Sequence, residues 1–208
     1  MRAAFLISLA MISSGCTLVQ QPTRMLAENT HDWREVIKAP DRERLRDWRK
    51  TFVAAVAAAR KAGHSADIDR EGVLLEPDAA LAGPAIPIGA YRCRVIKLGA
   101  QGTGLLDYVA YPGFTCRVSP QGGLQLLRKL TGSQREVGIV FPGDPIREVF
   151  LGTLVLGDEH GGLQYGLDQQ RDIAGYLERI GPQRWRLVMP KPHFESQLDV
   201  LELIPAEG

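Results

Sequence analysis

The sequence predicts a mainly β fold of the α+β class: an antiparallel β-barrel-like body, or a sandwich, under an N-terminal helical layer. Three observations predict it. Helical spacing of apolar residues is confined to residues 30–62. From Gly72 to residue 205, short apolar or alternating runs follow one another at near-even spacing. The Gly- and Pro-bearing gaps between those runs are too short for crossover helices, so neighbouring strands must pair antiparallel.

In "THDWREVIK", Trp33, Val36 and Ile37 fall at i, i+3 and i+4, a short helical turn that must end before Pro40. Asp41 is placed to cap a longer helix, "RERLRDWRKTFVAAVAAARKA", in which Leu45, Trp48, Phe52, Val56 and Ala59 form one apolar stripe. Arg60 and Lys61 lie in its last turn, where cations favour the exposed carbonyls, and Gly63 is the expected stop. The strand candidates are "GVLLE", "AYRCRVIKL", "LDYVAY", "FTCRVS", "GLQLLRKL", "VGIVF", "EVFLGTLVLG", "AGYLERI", "RWRLVMP" and "LDVLELIP". Turns such as "GAQGTG", "PQGG", "FPGD", "DEHGG" and "GPQ" divide them. Residues 29–208 read as a single domain, helical over 30–62 and β-rich over 72–205.

The N-terminus has another logic. Arg2 precedes the apolar run "AAFLISLAMI", then come Ser13, Ser14, Gly15 and Cys16. This is the layout of a secretory signal over residues 1–15, too short to span a bilayer permanently. "SSGC" resembles the lipobox of bacterial lipoproteins, in which the cysteine thiol receives a diacylglyceryl group, although Ser13 stands where such proteins carry an aliphatic residue. Ordinary signal-peptidase cleavage after Gly15 is the alternative. Several acyl chains on Cys16 would anchor the protein, and Thr17 in place of Asp implies sorting to the outer membrane. Residues 16–28 then form a tether without periodicity. With Cys16 lipidated, the other two of the three cysteines, Cys93 and Cys116, make the expected disulfide of an oxidising compartment.

Placing Cys93 directly opposite Cys116 makes paired positions sum to 209 and centres the turn on Gly104 and Leu105, inside "GAQGTG". Tyr91, Cys93 and Val95 then share one face with Phe114, Cys116 and Val118. Arg92, Arg94 and Arg117 gather on the other face, where like charges destabilise unless an acid or an anionic ligand meets them. Asp172 and Glu178 are the expected partners.

Twenty-five Lys and Arg against 24 Asp and Glu give a charge of +1, and aromatics are 7% of residues. Neither feature suits nucleic-acid binding. The four histidines, His31, His64, His160 and His193, show no zinc spacing. "LTGSQR" is not a nucleophile elbow, and "GAQGTG" joins two strands, so it is not a phosphate loop. No metal or cofactor is expected. Asp168, Asp172 and Glu178 are the candidates for acid and base if the protein hydrolyses an envelope glycan.

The set "GAYRCR", "KLTGSQR", "FLG", "QYGLDQQRDIAG", "YLERIG" and "RWRLV" resembles a proteobacterial family, the domain of unknown function 4893, over about residues 30–205. The resemblance implies a small exported envelope protein and brings no catalytic residue, substrate or cofactor. The expected function is therefore binding: a lipid-anchored protein at the periplasmic face of the outer membrane that holds an envelope ligand or a partner protein. A glycan hydrolase, or a structural or assembly factor, is the alternative.

Overall fold

A computed structural model describes residues 30–111 and 113–206; the signal at 1–15 and the tether at 16–28, with Cys16, lie outside the described residues. The period-2 runs fold as nine strands. They are β1 (Gly89–Ala100), β2 (Tyr108–Ala110), β3 (Phe114–Gln121), β4 (Leu124–Lys129), β5 (Gln134–Asp144), β6 (Arg147–Leu156), β7 (Asp172–Gly181), β8 (Arg184–Pro190) and β9 (Ser196–Pro205). Every pairing is antiparallel, each strand from β3 to β9 pairs with the next, and β9 returns to pair with β1. This closes an eight-stranded barrel in which no strand of the ring is left as an edge. The short β2 lies beyond the ring's own pairings, against the second half of β1.

Alternation decides what each strand buries. Inward residues Tyr91, Cys93, Val95, Cys116, Val118, Leu127, Phe150, Leu177, Trp185, Leu187, Leu201 and Leu203 pack as one cluster and fill the barrel. Phe150 can lie across the interior because Gly138 and Gly152 face each other beneath it; a Cβ on Gly138 would come within 2.6 Å of the ring.

The helical layer packs on the outside of the barrel and does not plug it. Helices α1 (Trp33–Val36) and α2 (Ala39–Arg46) cover outward residues of β4 to β7, with Ile37 and Leu45 against Leu126, Ile139 and Leu151. Helices α3 (Trp48–Ala59) and α4 (Ser65–Glu71) cover β1, β8 and β9, with Phe52, Ala55 and Ile68 against Ile96, Val188 and Val200. Gly99 marks a close approach: its φ is +70°, and a Cβ there would stand 3.3 Å from Ala55 Cα.

Four expectations need correction. The long helix is two helices, α2 and α3, meeting at Asp47. Asp41 caps neither: α2 begins at Ala39, with Pro40 in its first turn where a missing N–H costs nothing, and Asp41 is buried. Gly63 breaks the helix with φ +100°, but Ser65 restarts it as α4. "GVLLE" is a 3-10 turn, Gly72–Leu75, and no strand. The reason is tertiary: the Arg186 guanidinium collects the carbonyls of Val73, Leu74, Glu76 and Pro77, while Leu74 and Leu75 are buried on the barrel wall.

The Cys93–Cys116 disulfide is present, with Cα atoms 5.9 Å apart, inside the barrel. Its register is not the expected one. Cys93 pairs with Phe114 and Tyr91 with Cys116, so positions sum to 207, and along β2 to 206. The disulfide joins diagonal neighbours. Between β1 and β3 the shift of two keeps each side chain on its expected face, so the inward set there is right while the partners differ.

Candidate functional site

The residues expected to gather on an arginine face are dispersed. Arg92 is exposed and lies opposite Thr115; Arg117 is exposed and lies between Ala90 and Arg128. Arg94 is satisfied by neither expected acid. Its Nη1 donates to Glu71 Oε1 at 2.9 Å, its Nη2 to Glu71 Oε2, and its Nε to Glu202 Oε2. Those hydrogen bonds and charges hold the guanidinium above its ordinary range. The pairing of β9 with β1 sets Glu202 directly opposite Arg94, the restart of α4 brings Glu71 to it, and both acids lie outside the hairpin from which partners were sought.

Glu178 is sealed elsewhere. It accepts from Arg147 Nε at 2.7 Å and Arg186 Nε at 2.8 Å, and neither Glu178 nor Arg186 reaches solvent. Asp172, six residues earlier on β7, lies under α2, accepts the Gly166 N–H at 2.8 Å, and has Asp41 and Arg44 nearby. Six residues of strand span roughly 20 Å, well beyond the separation of a glycosidase pair. Asp168 accepts the Gln170 N–H and lies 3.5 Å from Arg171. Glu178 cannot work across a cleft with either aspartate.

The chemistry gathers at one rim of the barrel instead. There the inward positions turn from apolar to charged: Lys97 on β1, Lys129 on β4, Glu136 on β5 and Asp199 on β9 are all buried. Lys97 Nζ lies 3.0 Å from Asp199 Oδ2 and 3.1 Å from Glu195 Oε2. Ser196 Oγ donates to Asp199 Oδ1. Lys129 Nζ donates to the Gln134 carbonyl at 2.7 Å, stands 4.0 Å from the centre of the Phe114 ring, and is 3.8 Å from Glu136 Oε2. Burial pushes the Glu136 and Asp199 carboxyls up and the Lys129 ammonium down. Burial also opposes charge on Lys97, but Asp199 and Glu195 prevail and raise it. Glu136 Oε2 has no hydrogen-bond donor among the described residues. The enclosed space beside these groups is about 20 Å³, room for a single water-sized molecule and no larger ligand.

Outside that rim lies an open cleft of about 570 Å³, the size of a small-molecule site. Arg44, Lys50 and Thr51 reach it from α2 and α3, Lys191 and His193 from the β8–β9 loop, and Gln197 from β9. Pro192 and His193 line both spaces, so this loop is the partition between cleft and barrel interior. The loop is tied down: Lys191 N–H donates to Gln197 O at 2.7 Å, and the Gln101 side chain donates to Pro192 O at 2.6 Å and to Ser196 O. It is also strained. Its two ends, Lys191 (φ 48°) and Glu195 (φ 68°), are the non-glycine residues with positive φ among those described. Each costs on the order of 1 kcal/mol, and such strain concentrates at functional sites.

Sequence reasoning missed the cleft, whose walls come from segments up to about 150 residues apart. A signal for the charged rim did exist. Lys97 has the parity of Tyr91, Cys93 and Val95, so "RVIKL" places a charge at an inward position. Among the described residues, no group of three or more His, Cys, Asp or Glu could hold a metal ion, and no helix is long and apolar enough to cross a membrane.

A family model described as a domain of unknown function (DUF4893) matches residues 33–203. No curated protein and no solved structure matches the chain.

Proposed function

We propose, from the premise that this chain belongs to the DUF4893 family, that it is a binding protein of the cell envelope. It is exported, held at the periplasmic face of the outer membrane by lipid on Cys16, and takes a small ligand in the cleft beside the barrel rim. The observation that carries the reading is where space remains. The barrel is filled by its own side chains, so it cannot carry a ligand as wider or emptier barrels do. The open concavity at its rim is lined by ammonium, guanidinium, imidazole and amide groups, which hold a ligand in place. Of the carboxylates considered for hydrolysis, Glu178 and Asp168 are held in ion pairs, and Asp172 is buried and accepts from the Gly166 N–H.

Two measurements test the reading. Radiolabelled palmitate should enter the wild type and not Cys16→Ser; equal soluble release of both forms would overturn the anchor. Ala54 is exposed and lines the cleft, so Ala54→Trp fills the space without entering the core. A screen of envelope metabolites by thermal shift should find compounds that stabilise the wild type and not Ala54→Trp. Stabilisation of both forms alike would overturn the cleft.

A further inference from the structure

We infer that the cleft's ligand is a small anion, a phosphate ester or a carboxylate, and that Lys50 and Lys191 are the cations that hold its charged group. This deepens the reading above and rests on the cleft being the binding site.

The cations of the cleft are Arg44, Lys50 and Lys191, with His193 beside them, and its one carboxylate among the described residues is Asp47. Arg44 is committed: its Nη1 lies 3.0 Å from Asp41 Oδ1 and donates to the Asp172 carbonyl at 3.0 Å. Asp47 Oδ1 lies 3.3 Å from Arg46 Nε, an exposed pair that partly offsets its charge. Lys50 and Lys191 remain, and neither ammonium has a hydrogen bond or an ion pair among the described residues. Both side chains are exposed and line the cleft, one from α3 and one from the loop, and their charge favours an anion in it.

The backbone at Lys191 is a second and independent observation. With φ 48°, that position suits glycine, which would adopt it without steric cost. Lysine is held there by the hydrogen bond from its own N–H to Gln197 O, and its side chain lines the cleft. Strain carried by a residue whose distinguishing feature is its charge points to use of that charge. Lysine is also well matched to such a ligand, because an ammonium offers three rotatable donors to a phosphate or carboxylate oxygen without demanding the planar fit of a guanidinium. Gln197 and Thr51 line the same space and can serve the uncharged part of the ligand. The Gln101 amide N–H groups cannot, because both are donated to Pro192 O and Ser196 O.

The test is isothermal titration of the folded protein with inorganic phosphate, with citrate and with the uncharged disaccharide chitobiose, alongside sedimentation with phosphatidylglycerol vesicles. Phosphate or citrate should bind, with affinity falling as salt rises, and the better of the two identifies the class. Binding to vesicles but to neither free anion would place the phosphate on a lipid headgroup. Lys50→Met and Lys191→Met should each weaken binding about tenfold or more, the usual worth of a hydrogen bond to a charged group. Lys191→Arg should retain most of it. Lys191→Gly should lose binding with no fall in melting temperature, because it removes the strain together with the charge. Anion affinity unchanged in both methionine variants overturns the inference. So does binding of chitobiose alone, which leaves the cleft reading standing if Ala54→Trp abolishes it. No binding of any probe at millimolar concentration also overturns the anion site, while an Ala54→Trp-sensitive compound from the metabolite screen would preserve the wider reading.

Discussion

Arg186 shows how far one side chain reaches in this molecule. It is wholly buried on the outer wall of the barrel, bonded to Glu178 and to the carbonyls of Val73, Leu74, Glu76 and Pro77, with its guanidinium 5.1 Å from the Phe52 ring centre. Burying the ion pair is expensive, and the arrangement holds because every donor and acceptor is met. Arg186→Leu should therefore cost about 3–5 kcal/mol, since Glu178 loses one of its two arginines and the 72–77 segment loses its tie. Arg186→Lys should recover little, because one ammonium cannot serve carbonyls and carboxylate lying in several directions. Replacing Glu178 and Arg186 together by leucine should recover part of the loss. Urea midpoints of the three variants would check the order, and a lysine variant as stable as wild type would contradict it.

At the scale of the element, the β1–β3 hairpin region combines what can be read from sequence with what cannot. Removing the disulfide by Cys93→Ala with Cys116→Ala should cost roughly 2–5 kcal/mol, the usual loss for a small secreted domain. Non-reduced peptide mapping should recover Cys93 linked to Cys116; two freely alkylatable thiols would refute the linkage. Which faces are buried was legible, because alternation has a period of two and the interior is apolar. The register was not. Symmetric placement of the cysteines assumes that linked residues are directly opposite, whereas the bond joins a diagonal pair. The turn is closed by Asp107, whose backbone carbonyl accepts from Gly99 N–H and whose Oδ1 accepts from Ala100 N–H; glycine content alone does not show that role. The 72–75 segment misleads for a similar reason: its local pattern suits a strand, and Arg186, more than a hundred residues away, decides otherwise.

Taken as a whole, the chain is a filled barrel with charges placed where an ordinary core would carry none. The barrel class and the outer helical layer follow from periodicity, which is local. The cleft does not, because Lys50 and Lys191 share no local pattern and come to line one space only through the tertiary fold. The buried acids leave a mark on the stability of the whole molecule, and Asp172 is where it can be read. Burial raises its carboxyl to about 6, against an ordinary 3.8, and the Gly166 N–H only partly offsets this, while Asp41 adds to the rise. The native state therefore binds this proton more tightly than the unfolded chain does. Between about pH 4 and 6 the unfolded state releases it first, so stability falls as pH rises through that window. Glu136, Glu148 and Asp199 are raised in the same direction and add to the fall. Asp172→Asn keeps an oxygen for Gly166 and places an uncharged amide at Oδ2, which has no hydrogen-bond donor among the described residues. At pH 7 it should stabilise the protein by about 1–3 kcal/mol; at pH 4, where the aspartic acid is already neutral in the fold, the gain should shrink toward zero. Urea denaturation of both proteins at the two pH values is the measurement. A gain of the same size at both would show that the amide acts through packing and that the Asp172 proton is not involved.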